Sequence, residues 1–194
     1  MMHLLSILVL LSQTQATNAE LGYRFALPGG FTAFPEARSQ KDMVDCWSEA
    51  RPVSAHGAMI LCVQRMHGVL PRDAMRQEEL PPTTQLVRFK WKEFDLQGLR
   101  SLVSPQGGEQ SFVLVTQVPL RHEAVQLFLS GPADQEARGQ ALLSETLASL
   151  EGETNWLSST ERAGRLGRAA GVWIILAVAL VAVLAWRKRR ARSA

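Results

Sequence analysis

The chain has 194 residues, 46% of them hydrophobic, with 21 Lys/Arg against 18 Asp/Glu for a formal charge of +3. That length allows one domain of ordinary size. A pI near 9.2 suggests a nucleic-acid binder only until the charge is located. Arg187, Lys188, Arg189, Arg190 and Arg192 sit at the extreme C-terminus, while residues 20–168 carry 16 Lys/Arg against 18 Asp/Glu. The bulk of the chain is therefore slightly acidic, and a phosphate-binding surface is excluded as the source of the basic pI.

Met1-Met2-His3 is followed by the apolar run "LLSILVLL" (Leu4–Leu11) and the polar "SQTQATNA", which ends in small residues. This layout predicts a secretory signal peptide over residues 1–19, with Thr17 and Ala19 where a signal peptidase needs small side chains. No Lys or Arg precedes the apolar run. An exported domain is expected over residues 20–156.

Within it, "GYRFAL" (Gly22–Leu27) reads as a strand closed by Pro28-Gly29-Gly30. "MVDCWSEA" (Met43–Ala50) and "AMILCVQRM" (Ala58–Met66) read as neighbouring strands around the loop "RPVSAHG". Pro71–Leu80 predicts a short helix, broken by Pro81-Pro82. "TQLVRFKWKEFDLQGLRSLVS" predicts a long strand or hairpin, with Val87, Phe89 and Trp91 on one face and Arg88, Lys90 and Lys92 on the other. Ser111–Leu120 and Glu123–Gly131 are strand-like. "DQEARGQALLSETLASLEG" predicts a helix with Leu142, Leu143, Thr146, Leu147 and Leu150 on one stripe, capped by Asp134 and ended by Gly152.

Ser158 and Glu161 stand at capping-box spacing, so a juxtamembrane helix is expected over residues 157–168. Residues 169–186 hold 18 positions without a charge, flanked by Trp173 and Trp186. At about 1.5 Å per residue this run spans roughly the hydrocarbon of a bilayer, which predicts one transmembrane helix. Residues 187–194 then form a basic cytoplasmic tail, by the positive-inside rule. Ala163, Gly167 and Gly171 make a small-xxx-small pattern that suggests homodimerisation.

The order "LPGGF" (Leu27–Phe31), "VQRMHGVL" (Val63–Leu70), "FKWKEFDL" (Phe89–Leu96), "QVPLRHEAVQLFLSG" (Gln117–Gly131) and "LLSETLASLEG" (Leu142–Gly152) resembles PsbP-like domains, small α/β/α sandwiches. The resemblance covers Gly22 to Gly152 and its motifs are structural. It implies an α+β fold, a mostly antiparallel sheet flanked by helices, and a binding or assembly role without enzymatic chemistry. The transmembrane helix departs from the soluble members.

Cys46 and Cys62 are the only cysteines and lie 16 positions apart on neighbouring predicted strands. Export would place them in an oxidising compartment, where a disulfide and two buried thiols are both open readings. The absence of C-x-x-C argues against redox chemistry. His56, His67 and His122 form no metal-pairing spacing, so no metal is expected. G-x-S-x-G, S-x-x-K and phosphate-cradling glycine loops are missing, and Glu78-Glu79 reads as a solvated face. No catalytic residue and no cofactor are expected. The basic row Arg88, Lys90 and Lys92 interleaves with aromatics as a nucleic-acid platform would, but a half-buried strand is the commoner use of that pattern.

Together these features predict a single-pass, non-catalytic binding or assembly module in a bacterial inner membrane. Its domain would be periplasmic and its C-terminus cytoplasmic, with the lipid bilayer and an envelope protein as partners and no nucleic acid. The competing expectation is an envelope hydrolase whose site is assembled from scattered residues such as His67 or His122.

Overall fold

A computed structural model describes residues 14–39, 41–49, 58–72, 75–104, 109–158 and 160. The chain divides after Asn155 into two compact units. All the strands and the α-helix described below belong to the first. The apolar run Leu4–Leu11, residues 51–57 with His56, and the stretches 169–186 and 187–194 expected to form a transmembrane helix and a cytoplasmic tail lie outside the described residues. Of the segment 157–168, expected to be a juxtamembrane helix, residues 157–158 and 160 are described. Among the described residues, no helix is long and apolar enough to cross a membrane.

The fold is α+β, built on antiparallel sheets. Ten strands and one α-helix follow in order: β1 (Gln15–Asn18), β2 (Tyr23–Ala26), β3 (Phe31–Ala33), β4 (Met43–Glu49), β5 (Ile60–Met66), β6 (Thr84–Trp91), β7 (Phe94–Val103), β8 (Ser111–Pro119), β9 (Ala124–Pro132), α1 (Glu136–Ser149) and β10 (Glu151–Gly152). A seven-stranded sheet runs β3-β4-β5-β9-β8-β7-β6, and a three-stranded sheet runs β1-β2-β10. Burial alternates along the central strands. In β8, Phe112, Leu114, Thr116 and Val118 are buried while the residues between them are half-buried.

One face of the large sheet, hereafter the inner face, carries the core. Leu61, Val63, Leu114, Val125, Leu127 and Leu129 are buried there, and Leu143 and Leu147 of α1 are equally inaccessible. Helix α1 is fixed at both ends. Arg100 of β7 grips Glu136 with two bonds, Nε to Oε1 at 2.7 Å and Nη2 to Oε2 at 2.6 Å. At the other end, the buried Trp91 indole donates to the Leu150 carbonyl at 2.9 Å. Gly139 lets the helix settle on Phe112, since a Cβ there would lie 2.4 Å from the ring.

Several expectations are corrected. Among the described residues of Pro71–Leu80 there is no α-helix, and Gln77–Glu79 makes a 3-10 turn between Arg76 and Leu80 in extended backbone. The Gln77 side chain goes instead to the free edge of β6, donating to Thr84 O at 3.0 Å and accepting from Leu86 N at 2.7 Å. Asp134 does not cap α1, because it sits inside a 3-10 turn (Ala133–Gln135) ahead of the helix. Gly152 does not end α1 either. It pairs with Tyr23 in β10, where a Cβ would stand 2.8 Å from Leu120 Cδ2. Among the described residues a single α-helix covers the large sheet, on one face only, so the helical layers of an α/β/α sandwich are incomplete. The stretch 84–103 is a hairpin, turning at Lys92, which adopts φ 52°.

Strand β1 lies inside the segment 1–19 expected to be a signal peptide. All four of its residues pair with β2, and Ala16 is buried. Thr14 O accepts from Leu27 N at 2.8 Å, and the Asn18 side chain accepts from Leu21 N at 3.0 Å. The fold therefore begins before Glu20. A chain starting at Glu20 should melt several degrees below one starting at Thr14, since the loss of a paired strand and a buried side chain costs about 2 kcal/mol. Equal melting temperatures would show that β1 is dispensable.

The Glu136 carboxyl is held below its ordinary value of 4.5, chiefly by hydrogen bonds from Arg100. Stability from this pair is complete above the ordinary glutamate range and is lost as pH falls through the lower folded value. Glu136→Gln should flatten that part of the stability–pH curve, read by urea midpoints between neutral and acid pH; an unchanged slope would refute it.

Candidate functional site

Of the sequence candidates, His67 joins a polar cluster at one end of the large sheet. Strand β5 ends in Arg65 and Met66, and His67 follows immediately before Gly68, whose φ of 99° turns the chain away. Arg65 ion-pairs with Glu20 in the β1–β2 turn and with Glu123 at 3.1 Å before β9. The Glu20 hydrogen bond, ahead of other influences, raises the Arg65 pKa further. Asp42 adopts a left-handed φ of 63° in the turn before β4. Its carbonyl accepts from Arg65 N at 2.8 Å, and its carboxylate lies 3.4 Å from His67 Nε2. Glu123 approaches His67 Nδ1 at 4.0 Å.

Beside this group, Tyr23 donates its hydroxyl to Asp45 at 3.0 Å, and Arg38 meets the same carboxylate at 2.5 Å. Burial first, and then the Asp45 charge, raise the phenol well above its ordinary range, so it stays a donor. Four carboxylates, two guanidinium groups and one imidazole thus meet on the rim.

A histidine flanked by carboxylates is the orienting half of a general-base site. The other half is absent here: among the described residues no hydroxyl or thiol hydrogen-bonds to His67, whose side chain is 65% exposed. No group of three or more His, Cys, Asp or Glu among the described residues is arranged to hold a metal ion. His122 is exposed in the β8–β9 turn and does not join the group. An open depression of about 370 Å³ lies alongside, lined among others by Thr17, Asn18, Tyr23, Arg24 and Glu151.

Cys46 and Cys62 stand directly opposite each other on β4 and β5 and form a disulfide, with Cα atoms 4.1 Å apart. Both thiols are thereby withdrawn from nucleophilic and metal chemistry. The basic row also resolves. Phe89 and Trp91 are buried, so they cannot stack on bases. Lys90 pairs with Asp95 at 2.9 Å, and Lys92 folds over Trp91, its ammonium 2.5 Å from Gly152 O.

The second feature is the outer face of the large sheet, half-exposed at Phe128, Val115, Leu99 and Leu86, buried at Cys46, Cys62 and Ser48, and carrying the Met75 main chain on the Gln97 side chain. The strand registers place Cys46, Cys62, Phe128, Val115, Leu99 and Leu86 in one row across six strands. Ser48, Ile60, Ser130, Val113, Ser101 and Thr84 form the neighbouring row. Neither row contains a charge. A glutamine ladder borders them: Gln117 donates to Gln126 at 2.9 Å, and Gln126 to Gln64 at 3.2 Å. Sequence reasoning assigned these strands but missed the face. "SFVLV" and "VQLFLSG" are apolar at nearly every position, and that loss of alternation was the available signal. The rim cluster left no such trace, because Glu20, Asp42, Arg65 and Glu123 are scattered along the chain.

No family model matches the sequence, and no curated protein matches it. Solved structures do. A protein from Bacteroides thetaiotaomicron is 14% identical with a TM-score of 0.51, over 74% of this chain and 49% of that one. This chain thus spans about half the length of that protein, and the two share a fold. The Ran-binding protein Mog1p of Saccharomyces cerevisiae is 13% identical with a TM-score of 0.48, over 73% of this chain and 96% of that one. Cyanobacterial PsbP from Synechocystis is 12% identical with a TM-score of 0.48, over 72% of this chain and 91% of that one. At such identities the likeness concerns the course of the chain and not its chemistry.

The disulfide closes a loop of 16 positions. Replacing both cysteines by serine should therefore lower stability by about 3 kcal/mol in the chain-entropy account. Denaturant midpoints with and without reductant check this: reductant should shift the wild type toward the double variant and leave the variant unmoved.

Proposed function

We propose that the chain is a non-catalytic binding or assembly module. In this reading it is exported by residues 1–19 or a shorter leader, and held in a bacterial inner membrane by one helix over residues 169–186, with the folded domain periplasmic. The observation that carries the binding role is the uncharged, largely apolar double row across the outer face of the sheet. Such a surface, half-exposed at Phe128, Val115, Leu99 and Leu86, is costly in water and useful in an interface. The disulfide supports export, because such bonds persist in oxidising compartments. It also supports a non-catalytic role, since it removes both thiols. The hydrolase alternative finds its best geometry at His67, where the base is exposed and no described hydroxyl or thiol is bonded to it.

The test places a photoreactive residue at Val115 on the outer face, or at Glu145 on the exposed side of α1, in the full chain within its membrane. A binding module yields a defined protein adduct from position 115 and none from 145. No adduct from either position would overturn the binding role. Alkaline carbonate tests the anchor: the full chain should stay with the membrane, and a chain ending at Arg168 should be released.

A further inference from the structure

We propose that the free edge of β6 takes up an extended, acidic segment of another protein as an added strand of the large sheet. The inference rests on the binding-module reading and gives that module a partner of stated chemistry. Strand β6 ends the sheet, and its eight residues pair with β7 without a break. Every second residue of such a strand turns its main-chain N–H and C=O away from its neighbour. The Gln77 side chain marks which ones. It donates to Thr84 O at 3.0 Å and accepts from Leu86 N at 2.7 Å, so Thr84, Leu86, Arg88 and Lys90 present their main chain outward.

A carboxamide carries the same donor and acceptor as a peptide group. Gln77 therefore sits on this edge as one residue of an added strand would. Thr84 N is satisfied as well, donating to Pro81 O at 2.8 Å. The chain's own cover stops there. The Leu86 carbonyl, the Arg88 N–H and C=O and the Lys90 N–H have no hydrogen-bond partner among the described residues. Arg88 and Lys90 are exposed, so the approach is open. From Leu86 to Lys90 the edge runs about 13 Å, room for a partner segment of about four residues.

Charge chooses the occupant. The side chains of Arg88 and Lys90 stand on the outer side of the strand, in register with Gln97 and Asp95. Lys90 meets Asp95 at 2.9 Å, and the same carboxylate feels the Arg88 charge. Two cations against one carboxylate leave the strip positive, which favours a segment with Asp or Glu opposite Arg88. A second copy of this chain is disfavoured. Antiparallel pairing of two β6 edges about a two-fold axis would set Arg88 against Arg88 or Lys90 of the copy, and like charges directly opposite are destabilising. The cations thus guard the edge against its own kind and leave it open to an acidic strand.

The experiment uses the full chain in detergent micelles and a displayed library of random octapeptides. Selected peptides should be rich in Asp, Glu and β-branched residues. They should slow amide exchange at Arg88 and Lys90 about tenfold, leaving Val87 and Phe89, already bonded to β7, unchanged. Arg88→Pro removes one N–H from the edge and should weaken these peptides about tenfold. Arg88→Glu keeps the main chain and should turn the selection toward Lys- and Arg-bearing peptides, which decides the matter if the proline variant fails to melt like the wild type. No enriched peptide, undiminished binding to Arg88→Pro, or protection elsewhere on the chain would overturn the edge proposal. So would protection of Arg88 and Lys90 without peptide that grows with protein concentration, the mark of a second copy. In each case an adduct from position 115 would still uphold the binding role, and its absence would overturn that role separately.

Discussion

A single 14-residue helix has to close the core of a seven-stranded sheet. Helix α1 is about 21 Å long and about 10 Å wide, whereas seven strands span roughly 30 Å. It cannot cover even one face alone. The small sheet β1-β2-β10 supplies the rest of the inner layer, with Phe25 of β2 meeting Trp47 of β4 edge-on at 5.5 Å. The Ser149 hydroxyl of α1 accepts from Ala26 N at 3.1 Å, so helix and small sheet act as one lid. This shortage of helix explains why residues before Glu20 are drawn into the fold.

The same constraint organises the polar rim. Bringing the β1–β2 hairpin over β4 and β5 sets Glu20 against Arg65 and Tyr23 against Asp45. The Tyr23 contact is a strong one, because a mostly buried phenol left without its acceptor would carry an unpaired donor. The exposed pairs, such as Arg24 with Glu151, add little beyond orientation. The rim therefore reads as the fastening of one sheet to the other. His67 takes part at its margin through Asp42 and Glu123.

Much of the fold was legible because burial alternates in strands. Gly22–Leu27, Met43–Ala50 and the hairpin strands from Thr84 to Val103 follow the period of two closely enough to be placed, the apolar runs in Ala58–Met66, Ser111–Leu120 and Glu123–Gly131 read as strands by length and composition, and the α1 stripe follows the period of 3.6. Short elements were not legible. β3 has three residues and β10 two, too few for any period, and β1 hides in a polar stretch that also suits a leader. Pro71–Leu80 misled because helix-forming composition says nothing of a glutamine that prefers a sheet edge. Of the functional features, the cysteine pair was visible as a candidate. The outer row was not, since it exists only when five registers are laid side by side.

His67 shows why a histidine between two carboxylates need not be catalytic. Charge stabilisation of a transition state gains its strength where water is excluded and donors are fixed. Here the imidazole is largely in solvent, and the neighbouring charges already neutralise one another through Arg65. A nucleophile brought alongside would meet a screened base with no group poised to stabilise an oxyanion among the described residues. The outer face presents the opposite condition. It is uncharged, internally hydrogen-bonded and broad, so the free energy available to it is that of excluding water over an area. That energy can hold a partner but cannot drive a reaction, which is why the sheet face, rather than the rim, carries the functional reading of this domain.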